Sequence, residues 1–266
     1  MSRPPEYELF AVRYAMRDAK RSNHFIGGDP HDAPMPMDYF VWLARSPERT
    51  FVIDTGFTAE VAAQRKRVHL RCPTEGLARL GIVADSVTDV ILTHLHYDHV
   101  GNFHKFPNAA FHLQEREMAH ATSHFMSYPH MRHSHEVDDV VGMVRALYAG
   151  RLNLYPGGLE LAPGIELVPT PGHTPGLQCA RVHTKRGWVV VASDASHYYE
   201  HMEKFRPFTT VFNVGDMLDS FALLKKIAPT PKHIVPGHDP LVMRRYPVAA
   251  PGLEDVVVRL DVEPSE

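Results

Sequence analysis

The sequence predicts an α/β fold in which two mixed β-sheets stack face to face with helices outside. Three observations carry this reading. Short β-branched or aromatic segments alternate with amphipathic helical ones through both halves of the chain. Some neighbouring strands are joined by tight turns, so the sheets are mixed rather than purely parallel. The residues best suited to chemistry fall just after strands, in loops that are free to aim side chains.

In chain order, segments 8–14, 39–44 and 51–54 read as strands, and the last ends in the turn Asp54-Thr55-Gly56. Helices are expected over 59–67 and 75–80, the second stopped by Gly81. Segment 87–92 reads as a buried strand and 109–113 as another short one. A helical insert follows, over about 115–150, in which Val137, Val140, Val141, Val144, Leu147 and Tyr148 recur at helical spacing and define one buried face. Met118, Phe125, Met126, Tyr128 and Met131 beside it are expected in the core or in a lid. Strands are expected at 165–168, 177–183 and 188–192, the last two joined as a hairpin through 184–187. A second amphipathic helix carries Met217, Leu218, Phe221, Leu224 and Ile227, and 232–235 is a short last strand. No repeat or long linker divides the chain, so 1–266 is expected to form a single domain.

Bulk composition removes several classes. With 44% hydrophobic residues the chain can bury a large core, and its net charge of −3 offers no field for nucleic acid or acidic lipid. The basic run Arg65-Lys66-Arg67 reads as a solvated helix end. Two cysteines, Cys72 and Cys179, exclude a disulfide scaffold and a cysteine-based zinc finger; Cys179 reads as a buried small hydrophobe. The first ten residues have no leader-like apolar core and no run of about 18 apolar residues occurs, so a cytoplasmic protein without a membrane partner is expected. The outlier is histidine, at 19 residues. His120, His124, His130, His133 and His135 lie in one segment without tight ligand spacing and are not expected to bind a metal.

Thr93-His94-Leu95-His96-Tyr97-Asp98-His99 is different, because it sets three imidazoles and a carboxylate directly after an apolar strand. Three further places repeat the pattern: Pro171-Gly172-His173-Thr174-Pro175-Gly176, Ser193-Asp194 after a run of valines, and Pro236-Gly237-His238-Asp239. His94 and His96 alternate by two and point the same way in an extended segment, so they can share one ion with His173. Asp98 and His99 would hold a second ion with His238, and Asp194 can bridge with its two oxygens. A structural zinc would be closed by four protein ligands, whereas seven ligands for two ions leave positions for water and substrate.

With these motifs in place the chain resembles the metallo-β-lactamase superfamily, on Asp54-Thr55-Gly56, 93–99, 171–174, 193–194 and 237–238. Within it the chain looks most like the N-acyl homoserine lactonases, from His99-Val100-Gly101-Asn102 and Asp194-Ala195-Ser196. The resemblance implies a four-layer αβ/βα sandwich and a pair of zinc ions, with iron, manganese or cobalt as substitutes that the donor types do not exclude. It also implies hydrolysis of a small-molecule lactone, quorum quenching and a homodimer. One position departs. The tyrosine that such lactonases place three residues after the bridging aspartate is replaced by His197, followed by Tyr198 and Tyr199. The resemblance then implies Asp98 as ligand and proton shuttle, with His197 or Tyr199 steadying the substrate or donating a proton.

Rival enzymes on the same scaffold fit less well. A zinc β-lactamase would carry cysteine at the place of Asp194, a glyoxalase-II-like thioesterase histidine at the place of Leu177, and a flavo-diiron relative an acid at the place of His96. Hydrolysis of a different lactone or ester in catabolism is the main alternative. A thioesterase or a non-catalytic metal-binding protein ranks below it.

Overall fold

The computed structural model describes residues 3–265; residues 1, 2 and 266 of the expected 1–266 unit lie outside them. The strands are β1 (Glu8–Arg17), β2 (Met37–Arg45), β3 (Thr50–Ile53), β4 (Val68–His69), β5 (Asp89–Ile91), β6 (Ala110–Gln114), β7 (Leu152–Tyr155), β8 (Leu159–Ala162), β9 (Ile165–Pro169), β10 (Gln178–Thr184), β11 (Gly187–Ser193), β12 (Ile234–Pro236) and β13 (Val257–Arg259). The first sheet runs β13-β1-β2-β3-β5-β6-β7, with β4 paired to β1, and the second runs β12-β11-β10-β9-β8. Both are mixed. β3, β5, β6 and β7 are parallel and the β1–β2–β3 meander antiparallel, while β11 and β12 are the parallel pair of an otherwise antiparallel second sheet.

Period-two alternation places the sheets in the interior. On β2, Phe40, Trp42 and Ala44 enter the core shared with Cys179 and Val189 of the second sheet, while Tyr39, Val41 and Leu43 face a second core. That second core is closed by Leu77 from the helix Pro73–Ala78 and Met143 from the helix Val137–Tyr148. On the far side of the second sheet, the helix Val214–Ile227 buries Met217, Phe221 and Leu224. The order helix, sheet, sheet, helix is the expected αβ/βα sandwich.

Most elements stand where the sequence puts them, including the hairpin in which Thr184 pairs with Gly187. Four strands were not foreseen: β4, β7, β8 and β13 are short, and their faces mix polar with apolar residues, as in Leu152-Asn153-Leu154-Tyr155. The helix expected over 59–67 ends at Gln64, because the chain turns left-handed at Lys66 (φ 56°) and enters β4. The next helix starts earlier than expected, with Pro73 in its first turn, where a missing N–H costs nothing.

The 115–150 stretch does hold helices, Glu115–Ala121, Pro129–Arg132 and Val137–Tyr148, but the last buries only part of the expected face, packing Val140, Val144 and Leu147 against the core. Val140, Met143 and Ala146 are buried, whereas Val137, Val141 and Tyr148 are exposed. Val140, Met143 and Leu147 follow the three-and-four spacing toward β7; Val141 and Tyr148 stand about 100° off that line. Met118 is in the core, while Tyr128 is exposed. Cys179 is buried, as read from sequence. Among the described residues no helix is long and apolar enough to cross a membrane.

Trp42 is fully buried between the sheets, so Trp42→Ala should destabilise the fold by about 3–5 kcal/mol. Tyr148→Ala, at a residue 89% exposed, should shift stability by no more than about 0.5 kcal/mol. Denaturant titration of the two variants measures both.

Candidate metal centre

Five loops deliver their polar residues to one edge of the paired sheets. After β5 the chain runs through His94 and His96 into the one-turn helix Tyr97–Val100, which carries Asp98 and His99. His173 sits in the loop between β9 and β10, Asp194 follows β11, and His238 follows β12. Asp54, after β3, completes the edge. The two sheets are clamped there: Gln178, at the start of β10, donates through its backbone N–H to the Thr93 carbonyl (3.0 Å) and through its side chain to the Leu92 carbonyl (2.8 Å).

All seven sequence-predicted ligands converge, and all are buried. Their donor atoms form the two expected triads, His94–His96–His173 and Asp98–His99–His238, each within 4.8 Å. His96 Nδ1 and His173 Nε2 stand 2.9 Å apart. Asp98 Oδ2 is 3.7 Å from the Nε2 atoms of both His99 and His238. Asp194 lies between the triads: Oδ1 is 3.0 Å from His238 and 3.4 Å from His99, while Oδ2 is 3.1 Å from His173 and 3.9 Å from His94. One carboxylate thus turns one oxygen toward each triad.

The test of fit to a metal is the state of the inward-facing atoms. His94 Nε2, His99 Nε2 and Asp194 Oδ1 are buried without a hydrogen-bond partner in the protein. Such atoms are costly in a native fold, and a divalent cation among imidazole and carboxylate donors satisfies them. The outward ring nitrogens of four of the five histidines, by contrast, are engaged. His99 Nδ1 donates to Asp54 Oδ2 (2.8 Å), His173 Nδ1 to the Thr210 carbonyl (2.7 Å), His238 Nδ1 to the Asp38 carbonyl (2.9 Å) and His94 Nδ1 to Thr93 Oγ1 (3.1 Å). Such partners fix ring orientation and tautomer at metal sites.

Electrostatics separate the ligands. Burial, with the neighbouring rings, holds His94 and His96 well below the ordinary imidazole value, so they are neutral donors. His99 moves the other way: burial opposes its charge, but Asp194, Asp54 and Asp98 together raise it. His238 is likewise raised, by Asp194 against burial. A cation entering this triad displaces protons.

Two carboxylates that the sequence did not reveal as supports stand behind the ligands. Asp54, read only as part of a turn, has left-handed φ (61°) and accepts from the Thr93 N–H (2.7 Å), from Thr93 Oγ1 (2.8 Å) and from His99. Glu117, fully buried on the helix Glu115–Ala121, accepts from the Leu95 N–H (3.0 Å), Thr174 Oγ1 (2.6 Å) and the Gly176 N–H (3.2 Å). Glycine is required at 176, where a Cβ would strike the Glu117 backbone, and at 237, where it would lie 2.7 Å from the Ser193 carbonyl oxygen. The only sequence signal for these roles was an acidic residue at a strand end and the glycines of the His173 and His238 loops.

His197 lies at the site: Nε2 is 3.0 Å from Asp194 Oδ2 and its ring stacks on Phe208 at 3.8 Å. Tyr199 does not. Its N–H donates to Asp239 (3.0 Å) and its ring lies in the core under the Arg245 guanidinium, 4.2 Å away, outside the cleft lining. Tyr198 is also turned away, its hydroxyl meeting His24 (3.1 Å) and the Pro36 carbonyl (3.1 Å). None of the five histidines from 120 to 135 joins a ligand group among the described residues, although His120, His130 and His133 line a cavity of about 460 Å³ that reaches His96 and His173. A narrower cleft of about 110 Å³ meets the same two histidines together with Asp98, Asp194 and His238.

A model of the metallo-beta-lactamase superfamily matches residues 35–238. An N-acyl homoserine lactonase of Bacillus sp is 33% identical over 167 residues, 61% of this chain and 60% of the relative, so the match spans well under two thirds of that protein. An N-acyl homoserine lactone hydrolase with the product N-hexanoyl-L-homoserine bound at its catalytic metal centre superposes with TM-score 0.75, at 22% identity over 91% of this chain and 96% of the other. AidC, a dizinc quorum-quenching lactonase, superposes with TM-score 0.71, at 19% identity over 90% of each chain.

Asp54→Asn should weaken divalent-metal retention about 10–100-fold, measured by competition with a chromophoric chelator. Adding a divalent ion to the stripped protein at neutral pH in weak buffer should release protons from His99 and His238, read with an indicator dye.

Proposed function

The chain belongs to the metallo-beta-lactamase superfamily, and from that premise we propose that it is a metal-dependent hydrolase that opens a lactone ring. The observation that carries the reading is the pair of triads joined by Asp194 beside a cleft. His94, His96 and His173 would hold one ion, Asp98, His99 and His238 the other, and Asp194 both; zinc suits this donor set, as do iron, manganese and cobalt. Bound together, such ions would supply an acidified water as nucleophile and positive charge for the developing oxyanion. The reading treats 1–266 as one domain with a helical insert at 115–150.

The protein's own residues do the rest. The reaction adds water across the acyl C–O bond, and the ring oxygen leaves as an alkoxide that needs a proton. Asp98 is the most exposed of the seven ligands and lines the cleft, so it is placed to hand that proton over. His197 holds the Asp194 carboxylate at 3.0 Å and, packed against Phe208, fixes its direction. Tyr199 has no part in this scheme.

Similarity to N-acyl homoserine lactonases makes those signal molecules the first substrate to try, with quorum quenching as the role. A second reading, a different lactone or ester, is favoured by the lining of the cleft, where Arg17, Arg65 and Arg67 stand close to the triads.

Asp98→Asn should lower kcat on a lactone by about 10²–10⁴-fold with the metal complement retained. Turnover followed by proton release, beside elemental analysis of the same sample, checks it; full metal with near-wild-type turnover removes the shuttle. A chelated control should be inactive on short and long acyl homoserine lactones and on simple γ- and δ-lactones alike. If the metal-loaded protein also leaves the whole panel untouched, the substrate class is wrong.

A further inference from the structure

We infer that the cleft beside the metal cluster selects a lactone or ester that carries its own negative charge, a carboxylate held by Arg17 and Arg67. The inference rests on the lactone-hydrolase reading and narrows its substrate.

The narrow cleft is lined by three arginines, and their charges are not equally available. Arg65 is spent: it pairs with Glu136 at 2.7 Å and lies 4.0 Å over the Tyr97 ring. Among the described residues Arg17 and Arg67 take part in no ion pair within 4 Å, although both are half-buried. Arg67 is nonetheless held in place. Its Nε donates to the Tyr97 hydroxyl (3.1 Å) and Nη1 to the Arg65 carbonyl (2.7 Å), which leaves Nη2 without a protein acceptor. Tyr97 is itself fixed, stacked on Phe57 at 5.5 Å with its hydroxyl 3.4 Å from that of Tyr39. Arg17, the last residue of β1, donates from Nε only to the thioether of Met37 (3.1 Å), a weak acceptor.

Charge in the lining decides what these two guanidinium groups face. The acids there are Asp98 and Asp194, both members of the ligand set. Cations held by that set would offset them, leaving Arg17 and Arg67 as uncompensated positive charge in the lining. A neutral acyl chain gains nothing from such a wall and must strip water from it. A carboxylate gains charge-assisted hydrogen bonds in a planar geometry that guanidinium matches. At about 110 Å³ the cleft suits a small group, while the larger cavity across His96 and His173 offers Met131, Val211 and Phe212 to an apolar remainder. The scissile carbonyl would lie between the two.

The test is a matched pair: γ-butyrolactone bearing a γ-carboxylate, and the same ring bearing a γ-carboxamide. The wild type should favour the carboxylate by about tenfold or more in kcat/KM, chiefly through KM, and added salt should shrink the ratio. Arg17→Met and Arg67→Met should each bring the ratio toward one, with Arg67→Lys keeping part of it. A merely structural role would lower both substrates in proportion and leave the ratio intact, which overturns the inference. Equal kcat/KM for the pair in the wild type, or a preference for neutral acyl homoserine lactones over the carboxylate, overturns it while leaving the lactonase reading standing. Failure to turn over any lactone sinks that reading instead. The anion site is then decided by calorimetric titration of succinate into wild type and the Arg17→Met/Arg67→Met double variant. Binding at least about tenfold weaker in the variant supports the site, and absent or equal binding overturns it.

Discussion

The constraint on which this structure depends is the burial of candidate ligand atoms that complete no hydrogen bond in the protein. His94 Nε2, His99 Nε2 and Asp194 Oδ1 face inward without a hydrogen bond. Leaving such atoms dry is unfavourable by about 1–3 kcal/mol each, more where charge is involved. A fold that keeps them must hold them against collapse into self-satisfied contacts. It does so by tying the ligands from behind. A carbonyl or a carboxylate takes the outer nitrogen of His99, His173 and His238, and Thr93 links His94 to Asp54. The geometry of these candidate ligands is therefore set by hydrogen bonds within the protein, which is what a preorganised metal site would require.

That arrangement explains how much could be read from sequence. The candidate ligands were legible because each follows a strand, and because Thr93 to His99 packs four donors into one loop. Alternation placed His94 and His96 on one ion, and the structure brings His173 to the same triad. The supports were not legible, since their meaning lies in contacts across the chain. Asp54 accepts from a histidine 45 positions away, and Glu117 from a threonine 57 positions away. Tyr199 was misplaced for a related reason. Spacing after Asp194 says nothing of the direction the chain takes, and the following helix Tyr199–Lys204 carries that ring into the core. The insert helix was found with half of its buried face, Val140, Val144 and Leu147, while tertiary packing adds Met143 and Ala146 and leaves Val137, Val141 and Tyr148 exposed.

The two halves of the centre rest on different parts of the fold. The Asp98–His99–His238 triad is backed by the first sheet: Asp54 at the end of β3, the Asp38 carbonyl on β2, and the Tyr14 hydroxyl from β1, which donates to the Asp98 carbonyl at 2.9 Å. The His94–His96–His173 triad, besides the Thr93–Asp54 link of His94 and the Thr210 carbonyl on His173, is backed by the insert. Glu117 holds Leu95, between two of its ligands, and Thr174, beside the third. Glu117 is moreover a buried carboxyl whose pKa is raised by burial, against the donors it orders, which pull it down.

The insert also supplies Met131, His130 and His120 to the wall of the larger cavity. One segment therefore sets both the position of the first triad and the space next to it. A displacement of the insert that reshaped the cavity would also move Glu117, and with it the loops of His94, His96 and His173. The larger cavity is thus free to vary only as far as Glu117 remains in place, while the arginine-lined cleft is bounded partly by residues of β1 and β2 and does not carry that restriction along those walls.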